Sequence, residues 1–298
     1  MLATARTRKL RAGTRPRLVP THRAAQVLDS GQRPLLLACD IDGTILDPAG
    51  DLREAVASAL RTVARSGVHV VLATGRGPLD GIAELMLTLG LHGPQITMQG
   101  ALVTDALTGE VQQRRLLAPV VVREALAFAG QRDLEVVASI GDGTVVSVRS
   151  RGGAIRNLGE VIRLHLVTGP ERHWSVRLAF GEAFLGRASM TWSDETGIDV
   201  LPLGTSKGEA VAAMAVRLGI PLDRVAAVGD AHNDTEMLRV AGRSAAMGSA
   251  PHDVKAAADV VVGSSRGDGV IDALRWFFPD LDGRLGSPVL FAGLRLLS

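Results

Sequence analysis

The chain has 298 residues, of which 46% are hydrophobic and 21% are charged, a composition typical of a globular protein with one or two domains. It contains no run of about eighteen or more apolar residues, so the sequence predicts no helix that spans a membrane. Cys39 is the only cysteine, which excludes an intrachain disulfide and a cysteine-based metal site. A reducing cytoplasm fits this composition.

Basic residues are concentrated at the beginning of the chain. Eight of the 33 lysines and arginines lie in residues 1–34, together with a single acidic residue, Asp29. The rest of the chain is mildly acidic, so the sequence pI of about 9.2 is not a nucleic-acid signature. We expect residues 1–34 to be a basic, disordered tail; a transit peptide and a start codon assigned too far upstream are the alternatives.

An apolar run over residues 35–39 ends in Asp40 and Asp42, followed by Gly43 and Thr44. Such a run is typical of a strand buried on both faces, and ligands in open α/β sheets bind beyond the carboxyl ends of these strands. Two carboxylates at this spacing can divide a reaction, because one can attack phosphorus or hold a metal while the other moves a proton. The N–H groups of Gly43 and Thr44 can bind a phosphate. A turn with two solvated acids is the alternative.

Strand and helix patterns alternate after this run. The pattern predicts a helix over residues 52–67, a strand over 68–73, a helix over 78–89 and a strand over 94–98. The strand over 68–73 ends in Thr74, Gly75 and Arg76. This alternation predicts an α/β fold with a doubly wound, parallel, Rossmann-like sheet.

The rhythm changes at about residue 101. Residues 101–105 and 110–116 alternate like a hairpin, residues 120–130 have helical spacing, and 135–139 and 144–149 are strand-like. We expect an inserted α+β domain over residues 117–190, a core formed by 35–116 and 191–280, and a C-terminal tail over 281–298. Residues 197–201 are expected to lead back into the core.

Two more polar clusters lie at predicted element ends. Lys207 begins an alanine-rich helix, and a strand over residues 224–228 is followed by Asp230, Asn233 and Asp234. With the clusters at the two earlier strand ends, these residues offer metal ligands, a cation and hydrogen-bond donors, which transfer of a phosphoryl group requires. A solvated lysine at a helix start is the alternative for Lys207.

Taken in order, these motifs resemble those of haloacid dehalogenase superfamily phosphatases of the Cof type. The matching motifs are Asp40-Ile41-Asp42-Gly43-Thr44, Leu72-Ala73-Thr74-Gly75-Arg76, Ser206-Lys207-Gly208 and Gly229-Asp230-Ala231-His232-Asn233-Asp234. The resemblance covers about residues 35–275. It implies an aspartyl-phosphate mechanism with Mg²⁺ and a cap domain, of type C2, inserted between the second and third motifs.

The resemblance also implies a role for each matched residue. Asp40 would be the nucleophile, and Asp42 would protonate the leaving oxygen and then activate water. Thr74 and Lys207 would hold the transferring phosphate. The implied substrate-binding residues are Gly43, Thr44, Gly75, Arg76 and Asn233. The implied metal residues are Asp40, Asp42 through its backbone carbonyl, Asp230 and, in support of that shell, Asp234; such hard oxygen ligands suit Mg²⁺.

Two positions depart from the family pattern. Gln99 stands where the family usually has Asn before Gly-Ala, and Ser249 stands where it usually has Asn after Met-Gly. Because both lie outside the four motifs, we expect them to affect substrate contacts rather than chemistry.

The aromatic and histidine residues of the insert carry weaker indications. We expect Trp174 and Trp192 to belong to the core of the smaller domain. His165 and His173 are either satisfied structural residues or contacts to substrate.

The sequence therefore predicts a cytoplasmic, Mg²⁺-dependent phosphatase that acts on a small phosphorylated metabolite, either a sugar phosphate or a phosphorylated cofactor such as a flavin or pyridoxal phosphate. No nucleic-acid or membrane partner is expected, and the oligomeric state is left open. A phosphomutase with the same nucleophile and a catalytically silent binding or regulatory module are the alternatives.

Overall fold

The computed structural model describes residues 19–20, 32–141, 144–148 and 157–285. Most of the expected N-terminal tail, and residues 286–298 of the expected C-terminal tail, lie outside these ranges. Among the described helices, none combines the length and the apolar character needed to cross a membrane.

The first part of the chain alternates strands and helices and then forms a hairpin. Its elements are β1 (Val19–Pro20), β2 (Leu36–Cys39), α1 (Glu54–Arg65), β3 (His69–Leu72), α2 (Ile82–Leu89), β4 (Gln95–Thr97), β5 (Leu102–Thr104) and β6 (Val111–Arg114). Strands β4, β5 and β6 form a small antiparallel sheet. The predicted hairpin is therefore present as β5 and β6.

The middle of the chain forms a second, antiparallel sheet with two helices. Its elements are α3 (Pro119–Gly130), β7 (Glu135–Ile140), β8 (Val145–Val148), β9 (Val161–Val167), α4 (Pro170–Ala183), β10 (Ala188–Thr191) and β11 (Gly197–Pro202). The strand order is β10-β11-β9-β7-β8. Helices α3 and α4 cover one face of this sheet, where Phe180 stacks on Phe184 and meets Phe128 edge to face.

The last part returns to the main sheet. Its elements are α5 (Lys207–Arg217), β12 (Val225–Gly229), α6 (Thr235–Val240), β13 (Arg243–Ala246), α7 (His252–Ala257), β14 (Val260–Val261) and α8 (Gly269–Phe277). The main sheet has the order β1-β14-β13-β12-β2-β3, and all neighbouring pairs except β1 with β14 are parallel.

Both faces of the main sheet are covered, as a doubly wound fold requires. In β2, Leu37 and Cys39 pack in the core beneath α1, α2 and α8, whereas Leu36 and Ala38 pack in the core beneath α5, α6 and α7. Successive side chains of a strand point to opposite faces, so an unbroken apolar run is what a strand between two helical layers needs. The predicted fold class, an α/β protein with a parallel sheet and an inserted α+β unit, is confirmed.

The second sheet extends further than the expected boundary at residue 190. Strand β11 pairs with β9 and with β10, not with a strand of the main sheet. Residues 197–201 are mostly apolar and come shortly before Lys207, and such a stretch does not reveal which sheet a strand joins, because the pairing partner is distant in sequence. The inserted unit therefore continues through Pro202.

The core also includes parts of both expected tails. Val19–Pro20 pairs antiparallel with Val260–Val261 at the edge of the main sheet. The backbone carbonyl of Arg33 accepts hydrogen bonds from the side chain of Arg224, at 2.9 and 3.0 Å, and Leu285 is buried in the core. The composition of a segment does not reveal such contacts, because only a few residues of each predicted tail make them.

Candidate active site

The carboxyl ends of β2, β3 and β12 and the beginning of α5 meet at one edge of the main sheet, as the sequence predicts. Asp40 follows β2 directly and is buried, 5% exposed. Gly43 has a positive φ of 81°, and a Cβ atom there would collide with the carboxylate of Asp230. Only glycine satisfies both conditions, so Gly43 allows the loops after β2 and β12 to approach each other.

Lys207 lies at the centre of this edge. Its Nζ donates hydrogen bonds to Oδ1 of Asp40, at 2.6 Å, and to Oδ1 of Asp234, at 2.7 Å, and its side chain is fully buried. The helix begins here because the hydroxyl of Ser206 accepts a hydrogen bond from the backbone N–H of Glu209, at 3.1 Å. Burial alone would lower the pKa of Lys207, but the charges of Asp234 and Asp40 outweigh it and raise the pKa.

Three carboxylates surround this lysine. Asp40, Asp230 and Asp234 each offer an oxygen, and these oxygens lie within 4.8 Å of one another. Burial and the charge of Asp234 raise the pKa of Asp40 well above its usual range, and the same two causes raise the pKa of Asp230 to about 6. One lysine does not balance three carboxylates. This donor set therefore fits a divalent cation with a preference for hard oxygen ligands.

Asp234 and Thr44 support this cluster from within the protein. Oδ2 of Asp234 accepts hydrogen bonds from the N–H groups of Asp230 and Ala231, both at 3.0 Å. The hydroxyl of Thr44 donates to Oδ1 of Asp230, at 3.0 Å, and its N–H donates to the carbonyl of Ile41, at 3.3 Å. These contacts of Thr44 are thus to the protein, and the substrate contact expected from the sequence stays a prediction.

Asp42 lies apart from the acidic cluster. Arg76 donates to both of its carboxylate oxygens, from Nη2 to Oδ1 at 2.6 Å and from Nε to Oδ2 at 2.9 Å. The Asp42 side chain is 56% exposed, in contrast to that of Asp40. The hydrogen bond from Arg76 and the charge of Asp42 raise the pKa of the guanidinium. The two aspartates of the first motif therefore occupy different environments.

A cavity of about 460 Å³ lies between these loops and the second sheet. Its lining includes six of the predicted site residues, namely Asp40, Asp42, Thr74, Gly75, Arg76 and Asn233. The others, Gly43, Thr44, Lys207, Asp230 and Asp234, contact these or one another. All predicted site residues therefore come together in one place.

The second sheet contributes residues that the sequence analysis missed. Arg163, Asp199 and Ser193 line the same cavity, together with His165, for which a substrate contact was one of two possibilities. In β9, Arg163 and His165 alternate with buried apolar residues. In β11, Asp199 lies between two buried apolar residues. This alternation marks a strand with one polar face, but it does not tell which site the face covers.

Polar contacts hold Asp199 within the second sheet and connect this sheet to the loops after β3 and β4. Oδ1 of Asp199 is 2.9 Å from Nδ1 of His165, and Nη1 of Arg163 donates to the carbonyl of Gly75, at 2.6 Å. Burial would raise the pKa of Asp199, but the charge of Arg163 and the contact with His165 outweigh it, so the pKa is lowered. Nε2 of Gln99 donates to Oδ2 of Asp199, at 2.8 Å. The second unit is thus seated on the active-site loops by charged and polar groups.

The two tryptophans differ from each other in position. Trp192 packs against the core of the second unit, as predicted, but it also lines the cavity, and the guanidinium of Arg177 lies 3.6 Å from the centre of its ring. Trp174 is 62% exposed and is not part of that core. His173 is buried, with Nδ1 3.4 Å from the hydroxyl of Thr168. Of the two histidines considered, His165 faces the cavity.

The chain has relatives among phosphatases of known sequence. It is 30% identical over 242 residues to a 5-amino-6-(5-phospho-D-ribitylamino)uracil phosphatase of Bacillus subtilis, covering 80% of this chain and 94% of the relative. It is 27% identical over 239 residues to an HMP-PP phosphatase of Enterobacter sp., covering 72% and 84%. A chloroplastic endoribonuclease YBEY of Arabidopsis thaliana is 28% identical over 267 residues, which cover 79% of this chain but only 45% of that protein.

Solved structures have the same fold. A haloacid dehalogenase superfamily phosphatase from Bacteroides thetaiotaomicron matches with a TM-score of 0.71 and 24% identity, covering 84% of this chain and 97% of that one. A HAD/COF-like hydrolase from Plasmodium vivax matches with a TM-score of 0.73 and 22% identity, covering 87% and 99%. The family model for haloacid dehalogenase-like hydrolases matches residues 37–168 and 156–274. The chain therefore belongs to the haloacid dehalogenase-like hydrolases, and the predicted family and enzyme class are confirmed.

Proposed function

We propose that the protein is a Mg²⁺-dependent phosphatase that hydrolyses a small phosphomonoester through a phosphorylated Asp40. One observation carries the proposal: Asp40 is bonded to a buried lysine within a cluster of three carboxylates, at the bottom of a cavity that also contains Asp42. This arrangement supplies a nucleophile, positive charge and a proton carrier around one point.

In the first step, a carboxylate oxygen of Asp40 attacks phosphorus and the ester bond to the leaving oxygen breaks. Asp42 donates a proton to that oxygen, so the alcohol leaves neutral. In the second step, water attacks the phosphorus of phosphorylated Asp40 and transfers a proton to Asp42. The bond between Asp40 and phosphorus breaks, and inorganic phosphate leaves.

The surrounding residues have distinct tasks in this scheme. Lys207 lowers the pKa of Asp40 relative to what burial and the charge of Asp234 alone would give, and it offsets the negative charge of the transferring group, with Thr74 as a hydrogen-bond partner. Asp40 and Asp230, with Asp234 in support, would hold the Mg²⁺ ion, which supplies further positive charge at the phosphate oxygens. Both carboxylate oxygens of Asp42 accept hydrogen bonds from Arg76. When substrate binds, Arg76 must therefore give up at least one of these hydrogen bonds so that Asp42 can reach the leaving oxygen.

The leaving group would lie against the second sheet. A cavity of about 460 Å³ that combines apolar surface with several charged and polar side chains suits a small hydroxylated or heterocyclic metabolite. The names of the Bacillus and Enterobacter relatives describe phosphatases of phosphorylated small molecules, which supports this class. A sugar phosphate and a phosphorylated cofactor both belong to it.

The test is release of inorganic phosphate from a panel of phosphomonoesters, with Mg²⁺ and with EDTA. We expect Mg²⁺-dependent release from at least one of them and background release by Asp40→Asn. Asp42→Asn should lower turnover about 10²–10⁴-fold, the usual contribution of a proton carrier. With p-nitrophenyl phosphate, whose leaving group needs little protonation, phosphorylated Asp40 should accumulate in Asp42→Asn and be found by rapid quench and peptide mass spectrometry.

Three results would contradict the proposal. Two results together would exclude a covalent role for Asp40: full activity of Asp40→Asn, and no phosphate on the peptide that contains Asp40 in the Asp42→Asn variant. Return of the phosphoryl group to a second hydroxyl of a sugar phosphate would identify a phosphomutase. Absence of release from every substrate, with Mg²⁺ present, would favour a binding or regulatory module.

A further inference from the structure

The side-chain amide of Gln99 joins the two parts of the candidate active site. Its Oε1 accepts a hydrogen bond of 3.0 Å from Nδ2 of Asn233, in the loop after β12, and its Nε2 donates one of 2.8 Å to Oδ2 of Asp199, in β11. Gln99 is only 2% exposed. Gln99 also lines the cavity of about 460 Å³, so both bonds lie at the cavity wall.

The backbone around Gln99 is held in an unusual conformation. Met98 and Gln99 have positive φ angles of 49° and 58°, a region that residues other than glycine rarely adopt. The N–H of Met98 donates to the carbonyl of Arg76, at 2.9 Å, and that of Gln99 donates to the carbonyl of Thr74, at 3.0 Å. Strained backbone of this kind persists where the surrounding structure holds it and is concentrated at functional sites. The turn thus fixes the amide of Gln99 next to the second motif.

Gly75 provides the space that this amide needs. A Cβ atom at residue 75 would lie 2.5 Å from Nε2 of Gln99. The carbonyl of Gly75 accepts the hydrogen bond from Arg163, whose guanidinium is also 3.7 Å from Asp199. Asp199 is therefore connected to the second motif through Arg163 and to the fourth motif through Gln99.

Asn233 depends on these contacts for its orientation. Its Nδ2 donates to Gln99 and to the hydroxyl of Ser193, the latter at 3.0 Å, whereas its Oδ1 is buried without a partner among the described residues. Ser193, like Asp199, belongs to the inserted unit. Ser193 fixes the Asn233 amide directly, and Asp199 does so through Gln99. Both therefore act from the inserted unit, which covers the cavity.

We propose that Gln99 is a positioning residue that makes the orientation of Asn233 depend on the seating of the second sheet over the active site. The length of its side chain is essential, because asparagine is one methylene, about 1.5 Å, shorter and cannot reach both partners. The inference rests on the proposed phosphatase function, since the consequence of a misplaced Asn233 is slower turnover.

The first experiment compares Gln99→Asn, which keeps the amide and loses length, with Gln99→Met, which keeps length and loses both hydrogen bonds. Gln95→Asn is the matched control, because Gln95 is also buried but, among the described residues, its side chain bonds to the N–H of Leu72 and the carbonyl of Gly93 and to no residue of the cavity. We expect both Gln99 variants to lower kcat/KM about tenfold or more, with a higher KM as well as a lower kcat. Gln95→Asn should lower the melting temperature and leave kcat/KM within about twofold.

The second experiment tests the connection to Asp199 by a double-mutant cycle. If Gln99 acts through Asp199, Asp199→Ala combined with Gln99→Asn should be no slower than Asp199→Ala alone, within about twofold. If the double variant loses as much kcat/KM as the two single losses multiplied together, the proposal is overturned. A Gln99→Met variant with wild-type kcat/KM would also overturn it.

A third measurement separates this inference from the proposed function. The affinity for inorganic phosphate, measured by calorimetry with Mg²⁺ present, should be at least about fivefold weaker in Gln99→Asn than in the wild type. Equal affinities would overturn the role of Gln99. A wild-type protein that binds phosphate but hydrolyses no substrate would contradict only the phosphatase function.

Discussion

Lys207 offers the sharpest test of how the active site is held together. Lys207→Met keeps most of the side-chain volume and removes the charge that contacts Asp40 and Asp234, at 2.6 and 2.7 Å. Removal of one partner from a buried ion pair typically costs about 3–5 kcal/mol, because the other charge stays buried without compensation. For a protein of this size, such a loss lowers the melting temperature by roughly 10 °C.

The loss should depend on pH in a predictable direction. Without the lysine, the carboxylates of Asp40, Asp230 and Asp234 repel one another, and a proton relieves the repulsion. The pKa values of Asp40 and Asp230 are raised even with the lysine present. Raised folded-state pKa values of acids favour the folded state at low pH, so Lys207→Met should be closest to the wild type near pH 5 and furthest from it near pH 8.

The assay is urea unfolding at a series of pH values in EDTA, followed by circular dichroism. Lys255→Met is the control, since Lys255 lies on the surface helix α7 and its replacement should cost less than about 1 kcal/mol. Phosphate release by Lys207→Met should fall about 10²–10³-fold or more, as for other charge-stabilising groups. An Lys207→Met variant as stable as the wild type at pH 8 would refute the argument that this lysine balances the carboxylates.

Three further predictions follow from neighbouring contacts. In EDTA, the free energy of unfolding of the wild type should fall by on the order of 2 kcal/mol as the pH rises from about 4 to about 6, because the pKa of Asp230 rises from 3.8 in the unfolded state to about 6 in the folded state. Mg²⁺ should remove this fall, and a free energy of unfolding that does not change with pH in EDTA would contradict the prediction. Arg76→Lys should lower kcat/KM about tenfold, because an ammonium group cannot bind both oxygens of Asp42 in the same way, and wild-type kinetics would show that the pair is incidental. Gly43→Ala should destabilise the protein by several kcal/mol and abolish phosphate release, because of its φ of 81° and the contact with Asp230; a folded, active variant would show that the loops can move apart.

Much of the active site was predictable because parallel strands place their carboxyl ends at the same edge of the sheet. Asp40, Thr74 and Asp230 follow three adjacent strands, so local patterns sufficed to group them. Lys207 could be added because the chain has only three lysines, one of which begins a helix within the Ser206-Lys207-Gly208 motif. The predicted fold depended on the same regular alternation.

The contributions of the second sheet could not be predicted in this way. Arg163 and Asp199 reach the cavity through the register of β9 and β11, and pairing between distant strands leaves no local signal. The boundary after residue 190 was misplaced for the same reason. Gln99 was noticed as a departure from the family pattern, but its partners, Asn233 and Asp199, are 134 and 100 residues away in sequence.

In the proposed mechanism, the two aspartates of the first motif have different tasks. Asp40 is buried and bonded to Lys207, so its carboxylate is fixed in place and lies in the field of a permanent cation. Asp42, two residues later, is exposed to the cavity and held by Arg76 at the surface of the site. A nucleophile must be fixed against the phosphorus, whereas a proton carrier must reach the leaving oxygen first and water afterwards, which requires freedom to move. The strand end supplies the first condition for the nucleophile proposed at Asp40. The exposed turn that leads to Gly43 gives the proton carrier proposed at Asp42 access to the cavity, and Asp42 gains the freedom to move once Arg76 releases it.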